Sequence, residues 1–197
     1  MKKIIKYLFL LTGGSFILAS CNDFLDREPL DSVTPDNFFF TENDLAAYAV
    51  KHYNFTTHEG FNAGIWRNDN ATDNQAATDY DKKWIPGQWK VPEAYDNPAS
   101  NDPWYFSAIR EANYFLETVV PRFEKGEIEG SETNIKHYIG EMYFLRAKNY
   151  LSKLETFGDF PIIKNTLPDE SASLIQASKR EPRHKVARFI LEDLDLA

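Results

Sequence analysis

Apolar residues recur at helical spacing in four stretches of the chain, and each stretch carries its own start or stop signal. The first opens at Thr41-Glu42-Asn43-Asp44, a capping box in which the Thr hydroxyl and the Asp carboxylate each accept a backbone N–H. It continues with Leu45, Tyr48, Ala49, His52 and Tyr53 on one side. The second opens at Asp102-Pro103, a cap residue followed by Pro at the first helical position. Trp104, Ala108, Ala112, Leu116 and Val119 form its stripe, and Pro121 is its expected stop. The third is the clearest: Ile135, Tyr138, Ile139, Met142, Leu145, Tyr150, Leu151, Leu154 and Phe157 line one face over about six turns. Gly158 then stands where a left-handed cap belongs, and Pro161 follows. The fourth starts near Glu181-Pro182 and places Val186, Phe189, Ile190, Leu194 and Ala197 together. No strict αβ alternation and no long period-2 run accompanies them. The pattern predicts a mostly α protein.

A long connection, roughly 56–101, separates the first two helices. Its centre is dense in turn-formers, with Asn68, Asp69, Asn70, Asp73, Asn74, Asp79 and Asp81, and around them stand Trp66, Tyr80, Trp84, Trp89 and Tyr95. Connections of this length inside a domain are uncommon and are usually functional or disordered, and the aromatic content argues against disorder. The chain ends on Glu192-Asp193-Leu194-Asp195-Leu196-Ala197, an amphipathic pattern without a cap and with acids where a helix dipole prefers cations. That ending reads as a chain cut within a domain.

Composition narrows the classes. Of the 197 residues, 43% are hydrophobic, which is enough for a core, and the length allows about one domain. A net charge of −8 argues against nucleic-acid binding, which needs a basic face for phosphates. A single Cys excludes an internal disulfide, a Cys-rich zinc site and an iron–sulfur cluster. The N-terminus is basic at Lys2, Lys3 and Lys6, and an apolar stretch over 7–18 follows. That stretch is too short and too interrupted by Gly13, Gly14 and Ser15 to span a bilayer, and it has the layout of a secretory signal. It ends in Leu18-Ala19-Ser20-Cys21, which resembles the bacterial lipobox, where cleavage precedes a diacylated Cys. The alternative is an ordinary signal peptide with an unrelated Cys. Acyl chains contribute about 0.8 kcal/mol per buried CH₂, so a multiply acylated Cys21 anchors stably. Cleavage removes three lysines and no acid, leaving a more acidic body that electrostatics would not hold at an anionic surface.

These residues together resemble a known family. Cys21-Asn22-Asp23-Phe24-Leu25-Asp26, Glu28-Pro29 and the stretch from Val33 to Phe39 look like the mature N-terminus of SusD/RagB-like outer-membrane lipoproteins. Glu141-Met142-Tyr143-Phe144-Leu145-Arg146-Ala147, then Tyr150, Leu154 and Phe157-Gly158-Asp159-Phe160-Pro161, resemble that family's most recognisable helix. The resemblance implies a mostly α fold of tetratricopeptide-like helix pairs with long aromatic-rich loops, here an incomplete SusD-like domain. It divides the chain into a lipoprotein signal (1–20), a tether and lead-in (21–40) and a helical region (41–197). It implies a surface-exposed, lipid-anchored outer-membrane protein for nutrient uptake in polysaccharide utilisation. Such a protein binds oligosaccharide, in some members peptide, and passes it without catalysis to a SusC-like TonB-dependent transporter. The alternatives are a surface glycoside hydrolase lipoprotein and a non-functional truncated fragment.

A carbohydrate site needs flat aromatic faces for sugar rings, with amides, carboxylates or guanidinium groups at the hydroxyls. Trp66, Arg67, Asn70, Asp73, Tyr80, Trp84 and Trp89 supply both within one connection, and Asp73 after Ala71-Thr72 resembles a recurrent Thr-Asp position of the family. The competing role for Trp66, Trp84 and Trp89 is to pin the connection to the helices. Glu141 and Arg146 are expected to bond within or between packed helices and not to catalyse. His52, His58 and Glu59 do not place two ligands on one helical face, His137 and His184 stand alone, and Asp79-x-Asp81 lacks the Gly and Glu of an EF-hand. No metal and no cofactor is expected.

Overall fold

A computed structural model of the chain describes residues 38–53, 85–88, 90–92 and 103–197. The chain divides into Met1–Asn37 and Phe38–Ala197, and only the second part contains described residues. Five helices make up the described fold: α1 (Glu42–Val50), α2 (Ser107–Lys125), α3 (Glu132–Phe157), α4 (Ser171–Ala177) and α5 (Arg183–Leu196). Among the described residues, strand-like pairing is limited to two isolated bridges, Thr41 with Glu129 and Phe160 with Glu181. The mostly α expectation holds.

α1 starts as its sequence predicts. Asp44 N–H donates to Thr41 Oγ1 at 3.2 Å, and Thr41 N–H donates to Asp44 Oδ2 at 2.9 Å. Just before this cap, Phe39 adopts φ 70°, a left-handed backbone that costs a bulky residue about 1–2 kcal/mol. Burial explains why it persists: the ring is fully enclosed, edge-on to Phe38, Tyr48 and Phe115 at centroid distances of 5.0, 5.1 and 5.3 Å. Enclosing such a side chain stabilises by about 1.5–3 kcal/mol, enough to offset the strain. His52 and Tyr53, expected inside the helix, lie in the turn beyond it.

α2 departs from expectation at both ends. It begins at Ser107, after a turn at Pro103-Trp104, so the Asp102-Pro103 cap signal does not start it, and Ala108 is exposed while Ile109 is buried. Pro121 does not stop it either. Proline removes only the bond to the Glu117 carbonyl, and the turn beyond is held by tertiary contacts. Arg122 Nη1 donates to the Phe38 carbonyl at 2.7 Å, its guanidinium lies 4.2 Å from the Phe40 ring centroid, and Phe123 packs on the core. The real stop is Gly126 at φ 70°, where Gly126 and Glu127 donate N–H groups back to Phe123 and Arg122 in a Schellman closure.

α3 is the shared partner of α1, α2 and α5. Ile135, Ile139, Met142, Leu145, Tyr150 and Phe157 are buried as expected, whereas Leu151 is exposed. Gly158 ends the helix at φ 73°, as its position predicts. The short connection after α2 makes α2 and α3 a helical hairpin, consistent with tetratricopeptide-like pairing. Two apolar clusters result. One joins α1, the middle of α2 and the N-terminal half of α3 around Phe39, Phe115 and Met142. The other joins Ile109, the C-terminal half of α3 and α5 around Tyr150, Phe160 and Phe189.

α4 is not legible as a periodic segment, because none of its residues is buried. On α5, Val186, Phe189 and Ile190 face inward as expected, but Leu194 and Ala197 are exposed and Asp193 takes the inward position.

Candidate functional site

Asp193 is the key to how the helices are fixed. Its carboxylate accepts both forks of Arg146, Nε to Oδ2 at 2.8 Å and Nη2 to Oδ1 at 2.7 Å. Arg146 is 6% exposed and Asp193 1%, so this bidentate pair lies in the interior. Arg146 Nη1 donates to Asn113 Oδ1 at 2.8 Å, and Asn113 Nδ2 donates to the carbonyls of Ile163 at 2.8 Å and Asn165 at 3.3 Å. One guanidinium thus ties α3 to α2, to α5 and to the segment after α3. Tyr150 supports that segment: its hydroxyl donates to the Ile163 carbonyl at 3.1 Å and accepts the Ile163 N–H at 2.8 Å. Burial pushes the Tyr150 phenol up to about 12.

The structural role expected of Arg146 and Glu141 is what the geometry gives. Glu141 accepts the Tyr53 hydroxyl and pairs with His137 Nε2 at 2.9 Å, and that hydrogen bond, ahead of burial, pushes the Tyr53 phenol up to about 12. Tyr53 is the last described residue before the long connection, so α3 anchors the point where it departs. Its return is anchored too. Lys153 Nζ donates to the Pro103 carbonyl, and Trp104 Nε1 donates to the Pro92 carbonyl at 2.8 Å. The Trp104 indole lies 4.0 Å from Phe157 and 5.7 Å from Phe160 between centroids, with the Arg180 guanidinium 4.8 Å from its ring. Trp104 therefore packs as a structural pin, and it is the one Trp inside the described residues. Within the connection, Gln88 N–H closes a turn onto the Ile85 carbonyl at 3.0 Å, with Gly87 left-handed at φ 78°.

The residues assigned from sequence to glycan binding, Trp66, Arg67, Asn70, Asp73, Tyr80, Trp84 and Trp89, all lie outside the described residues, as does Cys21. Concave features do lie within them, none singled out from sequence, including an open one of about 560 Å³ at the turn between α2 and α3 beside Phe123, Gly126, Ile128 and Ile135. A cleft of about 250 Å³ opens between the start of α2, the segment after α3 and α4. Phe106, Ile109, Ile163, Leu167 and Leu174 wall it, with Arg110, Asn113 and Asn165 as polar members. A second, of about 270 Å³, lies beside His52, Lys51, Met142 and Asn149. His52 Nδ1 sits 3.4 Å from Glu111 Oε2, and its Nε2 is buried without a hydrogen bond. Burial depresses the His52 pKa below 6.5, against the opposing pull of Glu111. Among the described residues, no group of three or more His, Cys, Asp or Glu is placed to hold a metal ion, and no helix is long and apolar enough to cross a membrane.

The described helices form a mostly α frame, and comparison with known proteins gives the family. The SusD-like family model, described as starch-binding and associating with the outer membrane, matches residues 23–197. SusD-like protein P2 of Formosa agariphila is 26% identical over 186 residues, covering 91% of this chain and 35% of that protein. SusD-like protein P38 of the same organism is 27% identical over 198 residues, covering 98% and 36%. The crystal structure of a SusD-like protein from Bacteroides fragilis superposes with a TM-score of 0.53 at 24% identity, covering 87% of this chain and 32% of that one. This last likeness speaks to the fold. The chain belongs to the SusD-like family, and it spans about a third of the length of the curated relatives it matches.

Proposed function

We propose that the protein captures oligosaccharide at the outer membrane and delivers it, without chemical change, to a SusC-like TonB-dependent transporter. A lipid on Cys21 holds it at the cell surface after removal of 1–20, and 21–40 serve as the tether and lead-in, whose residues Phe38 and Phe39 already pack on the helical core. The observation that carries this reading is the family match across 23–197, whose description joins starch binding to the outer membrane. The residue inventory of 56–101 supports it: Trp66, Trp84, Trp89 and Tyr80 offer ring faces, and Arg67, Asn70 and Asp73 offer hydroxyl partners. The anchoring of that connection through Tyr53, Pro92 and Pro103 supports it as well, because a binding loop works best when rigid elements hold its ends.

The test is isothermal titration of the whole protein with malto-oligosaccharides and a panel of other oligosaccharides, repeated with Trp66→Ala, Trp84→Ala, Trp89→Ala and Asp73→Ala. Stacking of one ring is worth about 0.5–1.5 kcal/mol beyond burial, so loss of a platform tryptophan weakens binding roughly threefold to tenfold. No reducing sugar is released on prolonged incubation. Release of sugar that one carboxylate substitution abolishes would replace this reading with that of a glycoside hydrolase.

A further inference from the structure

The cleft between the start of α2, the segment after α3 and α4 has a chemistry different from that of a sugar site. Its walls are aliphatic and aromatic: Phe106 and Ile109 from the α2 start, Ile163 and Leu167 from the segment after α3, and Leu174 from α4. Sugar rings bring hydroxyls that such walls leave unbonded, at a desolvation cost. The polar lining is Arg110 and two amides, Asn113 and Asn165. Asn113 spends its amide on the carbonyls of Ile163 and Asn165, and its oxygen on Arg146, so it has no strong bond left for a ligand.

Arg110 is different. It lines the cleft from α2, and its guanidinium makes no hydrogen bond or ion pair among the described residues. The other arginine nearby, Arg146, is consumed by Asp193 and Asn113. A planar fork of unused donors beside an apolar hollow selects a planar acid joined to an apolar body. Size sets the body: an apolar cavity of about 150 Å³ holds benzene, so one of about 250 Å³ takes a ring with a short arm.

We propose that this cleft binds a small amphipathic carboxylate, its apolar group against Phe106, Ile109, Ile163, Leu167 and Leu174 and its acid on Arg110. The site is separate from the glycan reading and does not depend on it. The probe is 3-phenylpropionate, titrated into the whole protein by isothermal calorimetry beside the neutral 3-phenylpropionamide. The acid binds about tenfold more tightly than the amide, the effect of one charge-assisted bidentate contact. Arg110→Gln removes that preference and leaves the amide unaffected. Leu174→Asn weakens both probes, and because α4 buries none of its residues this change leaves the fold intact, as an unchanged melting curve verifies. Ile175→Asn, next to Leu174 but outside the lining, changes neither affinity. Equal binding of acid and amide, a preference that survives Arg110→Gln, or no saturation by either probe below about 10 mM overturns the proposal.

Discussion

Substituting Asp193 by Ala leaves the Arg146 guanidinium in the interior with both of its carboxylate contacts removed, at 2.7 and 2.8 Å. Arg146 is too enclosed for water to replace them, and its remaining partners are Asn113 Oδ1, a distant Lys164 carbonyl at 3.4 Å, and the Tyr143 and Phe189 rings. Breaking a buried pair from one side costs about 3–5 kcal/mol, because a charge is left uncompensated. For a domain of this size that lowers the melting temperature by roughly 6–20 °C. Arg146→Met should cost a similar amount, since it strands the Asp193 carboxylate and the Asn113 carbonyl oxygen. The double variant Arg146→Met with Asp193→Leu removes both charges together, and buried ion pairs replaced by apolar residues are often neutral. It should therefore be more stable than either single variant, which requires a coupling larger than the cost of one single variant, more than about 3–5 kcal/mol. Urea denaturation followed by circular dichroism on the whole chain measures all four corners of the cycle. Single variants that lose less than about 1 kcal/mol, or that add without coupling, would refute the claim that this pair fixes α3 to α5.

Three further outcomes follow from the same packing. The His52 pKa is depressed in the folded state, so the unfolded chain binds more protons as pH falls below 6.5. Stability present above that pH is lost toward acid, and His52→Gln flattens this part of a denaturation profile taken from pH 7 to 5. Gly140→Ala would ordinarily stabilise a helix interior by about 1 kcal/mol. Here the added Cβ falls 2.5 Å from the Ala197 carbonyl oxygen, so the sign reverses and the urea midpoint drops; a rise would show that the end of α5 does not pack there. Tyr150→Phe deprives the Ile163 N–H and carbonyl of their hydroxyl partner and costs about 1–3 kcal/mol, read from the same denaturation curves, with no loss predicting that water replaces it.

What could be read from the sequence was what a simple period or a stereochemical requirement dictates. The capping box at Thr41 and Asp44, the glycine stop at Gly158 and most of the α3 stripe are local signals, and each took its expected form. Local signals failed where tertiary contacts outweigh them. Pro121 is carried inside α2 because Arg122 and Phe123 are held from outside the helix, and α4 forms without burying an apolar face. Asp193 was missed for a related reason. It occupies the core register that follows Val186, Phe189 and Ile190, but a carboxylate reads as exposed until its partner, 47 residues away, is known. The cleft at Arg110 could not be read at all, since three separate segments wall it and no periodicity links them. The glycan residues rest on residue type and on likeness to the family, with the anchoring points at Tyr53, Pro92 and Pro103 as the described part of their frame.

The central claim is that the connection over 56–101 contacts the glycan while α2, α3 and α5 serve as its frame. Hydrogen–deuterium exchange of the whole protein, with and without a saturating oligosaccharide identified by the calorimetric panel, tests it most directly. The expected result is slowed exchange concentrated in 56–101, with amides of α2, α3 and α5 unchanged. Protection confined to those helices, with 56–101 unaffected while the sugar is demonstrably bound, would contradict it.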